Sequence, residues 1–175
     1  SYKAGFVTTK PFDSVRLNYS AIGMAGTLSV YHAEVLRPCA GPSGTCNTAT
    51  PLVRDLYPAI VEPARTGIEG AAVGLVSDTE NVVNANTSDF ATLSVNVGVL
   101  GSASISVRDL ATIYPAGYFA GYEVGSASLV SLSLLGNSQI RTYLNGVLQE
   151  TVSSNALILS APIINIGGRH TIGFV

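Results

Sequence analysis

The sequence predicts an all-β protein, an antiparallel β-sandwich or jelly roll with a long proline-rich connection, and three observations carry that prediction. Apolar residues recur with a period of two along most of the chain. The segments so patterned are short, rich in β-branched and aromatic residues, and separated by Gly, Ser, Asn and Pro. One pair of segments is divided by Asn145-Gly146, two residues that tolerate the positive φ a type I′ hairpin turn requires. Short antiparallel strands of this kind bury their apolar faces by packing sheet on sheet.

Gly5-Phe6-Val7 opens the first apolar strand, and the alternating segments 13–20 and 26–35 follow it. Next come Cys39 and Cys46, with Gly41, Pro42 and Gly44 between them. These turn formers let the two sulfurs meet across a tight loop, so a disulfide is expected, contributing about 2.5 kcal/mol through loop closure. Two unpaired thiols are the competing reading. A disulfide persists in oxidising compartments and so predicts a secreted or cell-surface protein.

Over 51–70, prolines at 51, 58 and 63 remove ladder donors, and no helical spacing is sustained. This stretch reads as an irregular connection, with at most a helical turn near 51–56. It separates N-terminal strands (1–50) from a main sandwich portion (71–175). In the latter, 89–97, 102–109, 118–124, 128–135 and 139–152 read as strands, and Thr171-Ile172-Gly173-Phe174-Val175 forms an open terminal one.

Composition narrows the function. A chain of 175 residues can bury roughly 70% of its unfolded surface. Charged residues make up 11%, against about 25% in ordinary soluble domains. The net charge is −2 and only nine Lys and Arg are scattered along the chain, which leaves no electrostatic footprint for nucleic acid. No uncharged apolar run reaches the length of about 18 residues that spans a bilayer, and no basic-then-apolar leader opens the chain. The first residue is Ser, which predicts processing from a precursor or excision from a larger protein.

Catalytic patterns are missing: no nucleophile elbow, zinc-protease helix or phosphate-binding Gly-Lys loop occurs. His32 and His170 stand in strand-like runs where a packed neutral imidazole is ordinary. No enzyme activity and no cofactor are expected. A candidate ligand platform for surface glycans is Tyr114, Tyr118 and Tyr122, which bracket Pro115 and Gly117. The competing reading comes from alternation, which sends Tyr118, Ala120 and Tyr122 to one side of a strand and Phe119 and Gly121 to the other, as core and skin.

The tripeptide of Gly5, Phe6 and Val7 returns as Gly173, Phe174 and Val175. A terminal strand with no turn after it offers unpaired donors and acceptors that recruit another chain. Identical copies joined head to tail are therefore the expected partners.

The string Asn81-Val82-Val83-Asn84-Ala85-Asn86-Thr87-Ser88-Asp89-Phe90-Ala91-Thr92, continuing through GSASISVRD and YPAGYFAGYEV to IRTYLNGVLQETV and TIGFV, resembles a tandem β-sandwich repeat of large Bacteroidetes cell-surface proteins. GFVTTKPFDSVRLNYS and GTLSVYHAEV are similar to the end of the same repeat. The resemblance implies one period cut across two consecutive repeats, with the GFV strand running on into the next copy. Segment 81–92 is also similar to the opening turn of galactose-binding-like jelly rolls, which can hold calcium. Asp78, Glu80 and Asp89 are the weak candidate ligands, and Asn84 stands where that family commonly has Asp. A turn closed by Asn and Thr side chains bonding their own backbone is the competing reading. The expected function is a structural subunit or repeat unit of an extracellular filament or surface fibre, assembled by β-strand addition. The alternative is a carbohydrate-binding adhesin module.

Overall fold

A computed structural model of the chain describes residues 1–20, 26–38, 48–96, 101–125 and 138–160. The expected Cys39–Cys46 disulfide, the strand over 128–135, His170 and the terminal strand Thr171, Ile172, Gly173, Phe174 and Val175 lie outside the described residues.

In chain order the first strands are β1 (Tyr2–Val7), β2 (Ser14–Tyr19), β3 (Gly26–Leu36), β4 (Thr50–Pro51), β5 (Ala59–Val61) and β6 (Gly67–Gly70). Then follow β7 (Gly74–Ser77), β8 (Ala91–Val95), β9 (Gly101–Asp109), β10 (Phe119–Gly125), β11 (Gln139–Leu144), β12 (Val147–Ser153) and β13 (Ile158–Ser160). They form two antiparallel sheets packed face to face, so the chain is a β-sandwich. Sheet I runs β13-β1-β10-β3-β8-β7, with β4 beside β3. Sheet II runs β12-β11-β2-β9-β5, with β6 also on β9.

The N-terminal strands are threaded between later ones. β1 lies between β10 and β13, β2 between β9 and β11, and β3 between β8 and β10. The stretch 51–70 is more regular than its prolines suggest. Each proline sits where no ladder donor is needed: Pro51 ends β4, Pro58 precedes β5, and Pro63 opens a 3-10 turn over Pro63–Arg65. β5 and β6 then pair successively with β9.

Period-two alternation builds the core. Val15, Leu17 and Tyr19 of β2 meet Ala4, Phe6, Leu28, Val30, Leu93 and Tyr122 of sheet I in one buried cluster. Fully burying each large side chain is worth about 1.5–3 kcal/mol. Tyr122 also ties the sheets together, because its hydroxyl lies 2.6 Å from Val15 O and 3.2 Å from Ile105 O, both in sheet II. The hairpin at Asn145-Gly146 forms as expected, with φ of 49° and 81°.

β3 carries a bulge. Glu123 pairs with His32 and Val124 with Val30, so Tyr31 is the extra residue. Leu28 and Val30 on one side of it and Ala33 and Val35 on the other all reach the core. Tyr31 and His32 are thereby both left on the outer face of sheet I, the kind of re-aiming that bulges perform.

Candidate functional sites

Four places bear on function, and the first is the slot that holds β1. Gly5 pairs with Gly121 of β10 on one side and with Ile158 of β13 on the other; Phe6 and Val7 pair with Ala120 and Phe119. Gly5, Phe6 and Val7, expected to be completed by a neighbouring copy, thus find their partners within their own chain. Sequence alone could not separate the two cases, because in-chain and inter-chain ladders make the same backbone bonds. The slot is selective. Phe6 is buried in the core, and a Cβ at Gly5 would lie 2.3 Å from Phe119 Cζ and 2.5 Å from Ala120 O. Only glycine fits where the Phe119 ring lies against the strand.

The second place is a cleft of about 370 Å³ at one end of the sandwich, lined by Arg37, Thr50, Tyr57, Ile113, Tyr114 and Tyr118 among others. Of the three tyrosines expected to form a platform, Tyr114 and Tyr118 come together, with ring centroids 5.7 Å apart. Tyr118 is half-buried at this cleft. Tyr114 is buried: it stacks on Phe12 and lies 2.7 Å from Asp109 Oδ2 through its hydroxyl. Burial first, and Asp109 second, push its phenol well above the ordinary tyrosine range. Tyr122 is fully buried between the sheets and can stack on no ligand, which removes it from the platform.

The third place is the turn before β8. Asp78, Glu80 and Asp89 do not converge. Asp78 takes a left-handed conformation before a 3-10 turn over Thr79–Val83, the exposed Glu80 pairs with Arg54, and Asp89 accepts hydrogen bonds from Asn84 and Asn86. Asn86 Oδ1 also accepts from the Ser88 backbone amide, so side chains of the turn bond each other and their own backbone.

The fourth place escaped the sequence reading. On the outer face of sheet I, His32 Nε2 lies 3.0 Å from Glu34 Oε1 and 3.6 Å from Glu123 Oε2. Lys3 Nζ, from β1, lies 2.5 Å from the same Glu34 oxygen, and Ser1 Oγ donates to Glu123. Lys3, Glu123 and His32 are register neighbours on β1, β10 and β3. Gly121, next to Glu34 on β10, has no side chain to block Lys3 from reaching across. Burial would raise the Glu34 carboxyl, but hydrogen bonds from His32 and Lys3 outweigh it and hold the group below its ordinary range. Glu34 Oε2 and His32 Nδ1 are buried without a partner among the described residues. His32-x-Glu34 was a readable signal, since residues two apart share a strand face. Glu123, distant in sequence, and the bulge were not readable.

The outer face of sheet II is polar and closed by the proline-rich stretch. Buried Glu62 accepts hydrogen bonds from Ser14 and Ser106, each at 2.6 Å, and from Arg65 at 2.9 Å. Arg65 also lies over the Tyr143 ring and donates to Gly146 O of the hairpin. Asn18 is buried here and donates to Glu69.

No helix among the described residues is long and apolar enough to cross a membrane. Comparison of the chain with protein-family models, curated proteins and solved structures finds no match.

Proposed function

We propose that this chain is a structural subunit or repeat unit of an extracellular filament or surface fibre, whose copies join head to tail by strand exchange at the β1 slot. The observation that carries this reading is the fit between that slot and the far end of the chain. The slot takes glycine against Phe119, then a core phenylalanine, then valine, and Gly173-Phe174-Val175 repeats that order. In the exchanged state Thr171–Val175 of one copy would lie where Lys3–Val7 lies in the closed state, with Ile172 replacing Ala4. Exchange of a like element between copies reuses most closed-state contacts, while Ile172 adds volume at the fully buried Ala4 position. Main-chain bonds supply affinity, and the alternate side chains supply register. Because the two ends of one copy engage different neighbours, the contacts propagate rather than close.

The test is the light-scattering mass of the native chain and of a chain lacking 171–175. The native chain is expected to form multimers and the truncated one to be monomeric. Multimers of undiminished size after truncation would refute strand exchange.

The end cleft supports a second reading, a carbohydrate-binding adhesin module, through the half-buried Tyr118 beside Arg37 and several threonines. That reading expects saturable sugar binding that Tyr118→Ala abolishes while the far-ultraviolet circular dichroism stays unchanged. Unchanged binding in that variant would reject it.

A further inference from the structure

We infer that His32, Glu34 and Glu123 form a zinc site on the outer face of sheet I, with Lys3 as its resident counter-ion. One ligand atom from each of the three residues lies within 4.8 Å of the others. Zinc held at 2.0–2.1 Å in a tetrahedral shell has ligand atoms about 3.3 Å apart, and the observed separations from His32 Nε2, 3.0 and 3.6 Å, bracket that value. The two carboxylates, whose ligand atoms lie within 4.8 Å of each other, close together and Lys3 leaves Glu34 Oε1 to complete the shell.

The donor set narrows the cation. One imidazole with two carboxylates suits a first-row transition dication such as zinc, whereas calcium takes six to eight oxygens and magnesium keeps an octahedral water shell. Glu34 has coordination capacity to spare. Its side chain is 2% exposed, and Oε2 has no partner among the described residues, which is costly for a buried carboxylate oxygen. Two carboxylates here face one ammonium. The third ligand, Glu123, and the counter-ion, Lys3, are 23% and 34% exposed, so an ion can enter from solvent as Lys3 swings out. The strands that supply the ligands, β3 and β10, are mutually paired, which suits a preorganised site. Holding the metal through His32 Nε2 would place the imidazole proton on Nδ1, a buried atom with no acceptor among the described residues. The three protein ligands leave a fourth position for water.

The test is calorimetric titration of the chelator-stripped, full-length chain with zinc chloride, supported by the visible ligand-field spectrum of its cobalt(II) form. The native chain is expected to take up one zinc with a tetrahedral cobalt band. Glu123→Gln, at a partly exposed position, should weaken binding at least tenfold and remove the band while leaving the far-ultraviolet circular dichroism unchanged. Lys3→Met should tighten binding several-fold by freeing Glu34. Absence of saturable one-to-one uptake by the native chain would overturn the assignment, as would uptake unaffected by Glu123→Gln.

Discussion

Tyr122 shows how one side chain can hold two sheets in register. Its ring fills the core and its hydroxyl reaches the backbone of β2 and β9 across the interface. Tyr122→Phe keeps the ring and loses the bond, so denaturant unfolding should show a loss of about 1–2 kcal/mol. Burial raises the phenols of Tyr19, Tyr114 and Tyr122, so each is held neutral in the folded state above the range where it ionises when unfolded. Their contribution is complete below the unfolded value of about 10 and declines as pH rises beyond it, because the unfolded chain then releases protons that the folded chain keeps. Unfolding midpoints should be insensitive to these groups between pH 7 and 9 and fall steeply above pH 10. The fall should be shallower in Tyr122→Phe. An equal slope in the two proteins would show that Tyr122 ionises freely in the folded state.

Among the elements, the proline-rich stretch is the one whose role was least visible beforehand. Glu62 and Arg65 bridge β2, β9 and the β11–β12 hairpin, and removing the carboxylate takes the shared acceptor from two buried hydroxyls, leaving them only each other and Val15 O. Glu62→Ala should therefore lower stability by about 2–4 kcal/mol, whereas Glu80→Ala, which breaks the exposed pair with Arg54, should stay within about 0.5 kcal/mol. Comparable losses in thermal or denaturant melts would contradict the bridging role. The β11–β12 hairpin is legible in the sequence because Asn145-Gly146 has a local conformational cause. β2, β3, β9 and β10 are legible because six or more residues alternate. Strands of two to four residues such as β4, β5 and β6 carry no periodicity that a window can detect, and their prolines point the wrong way. At the sites, the slot requirement at Gly5 depends on Phe119, and the metal cluster depends on Glu123 and on a bulge at Tyr31. None of these is encoded within one local segment.

The whole molecule is a sandwich whose first strand sits one short strand from the edge of sheet I, covered over Lys3–Gly5 by the three residues of β13. That position makes β1 easier to replace than a central strand. Replacement also alters the metal cluster, since Thr171 would stand at the place of Lys3 and take the ammonium away from Glu34. Zinc should then bind the exchanged state more tightly and shift the population toward assemblies. Light scattering of the stripped chain should report a higher mean mass on adding zinc. A lower mass would break the link between the two sites. Strand exchange requires that another copy occupy the β1 slot. Cross-strand trapping reads it most directly, because Thr171 of one copy would face Glu123 of the next, as Lys3 does in the closed state. Oxidation of the Thr171→Cys, Glu123→Cys double variant in a Cys39→Ser, Cys46→Ser background should give a reducible ladder in steps of 18.0 kDa on a denaturing gel. A single monomer band after complete oxidation would contradict strand exchange.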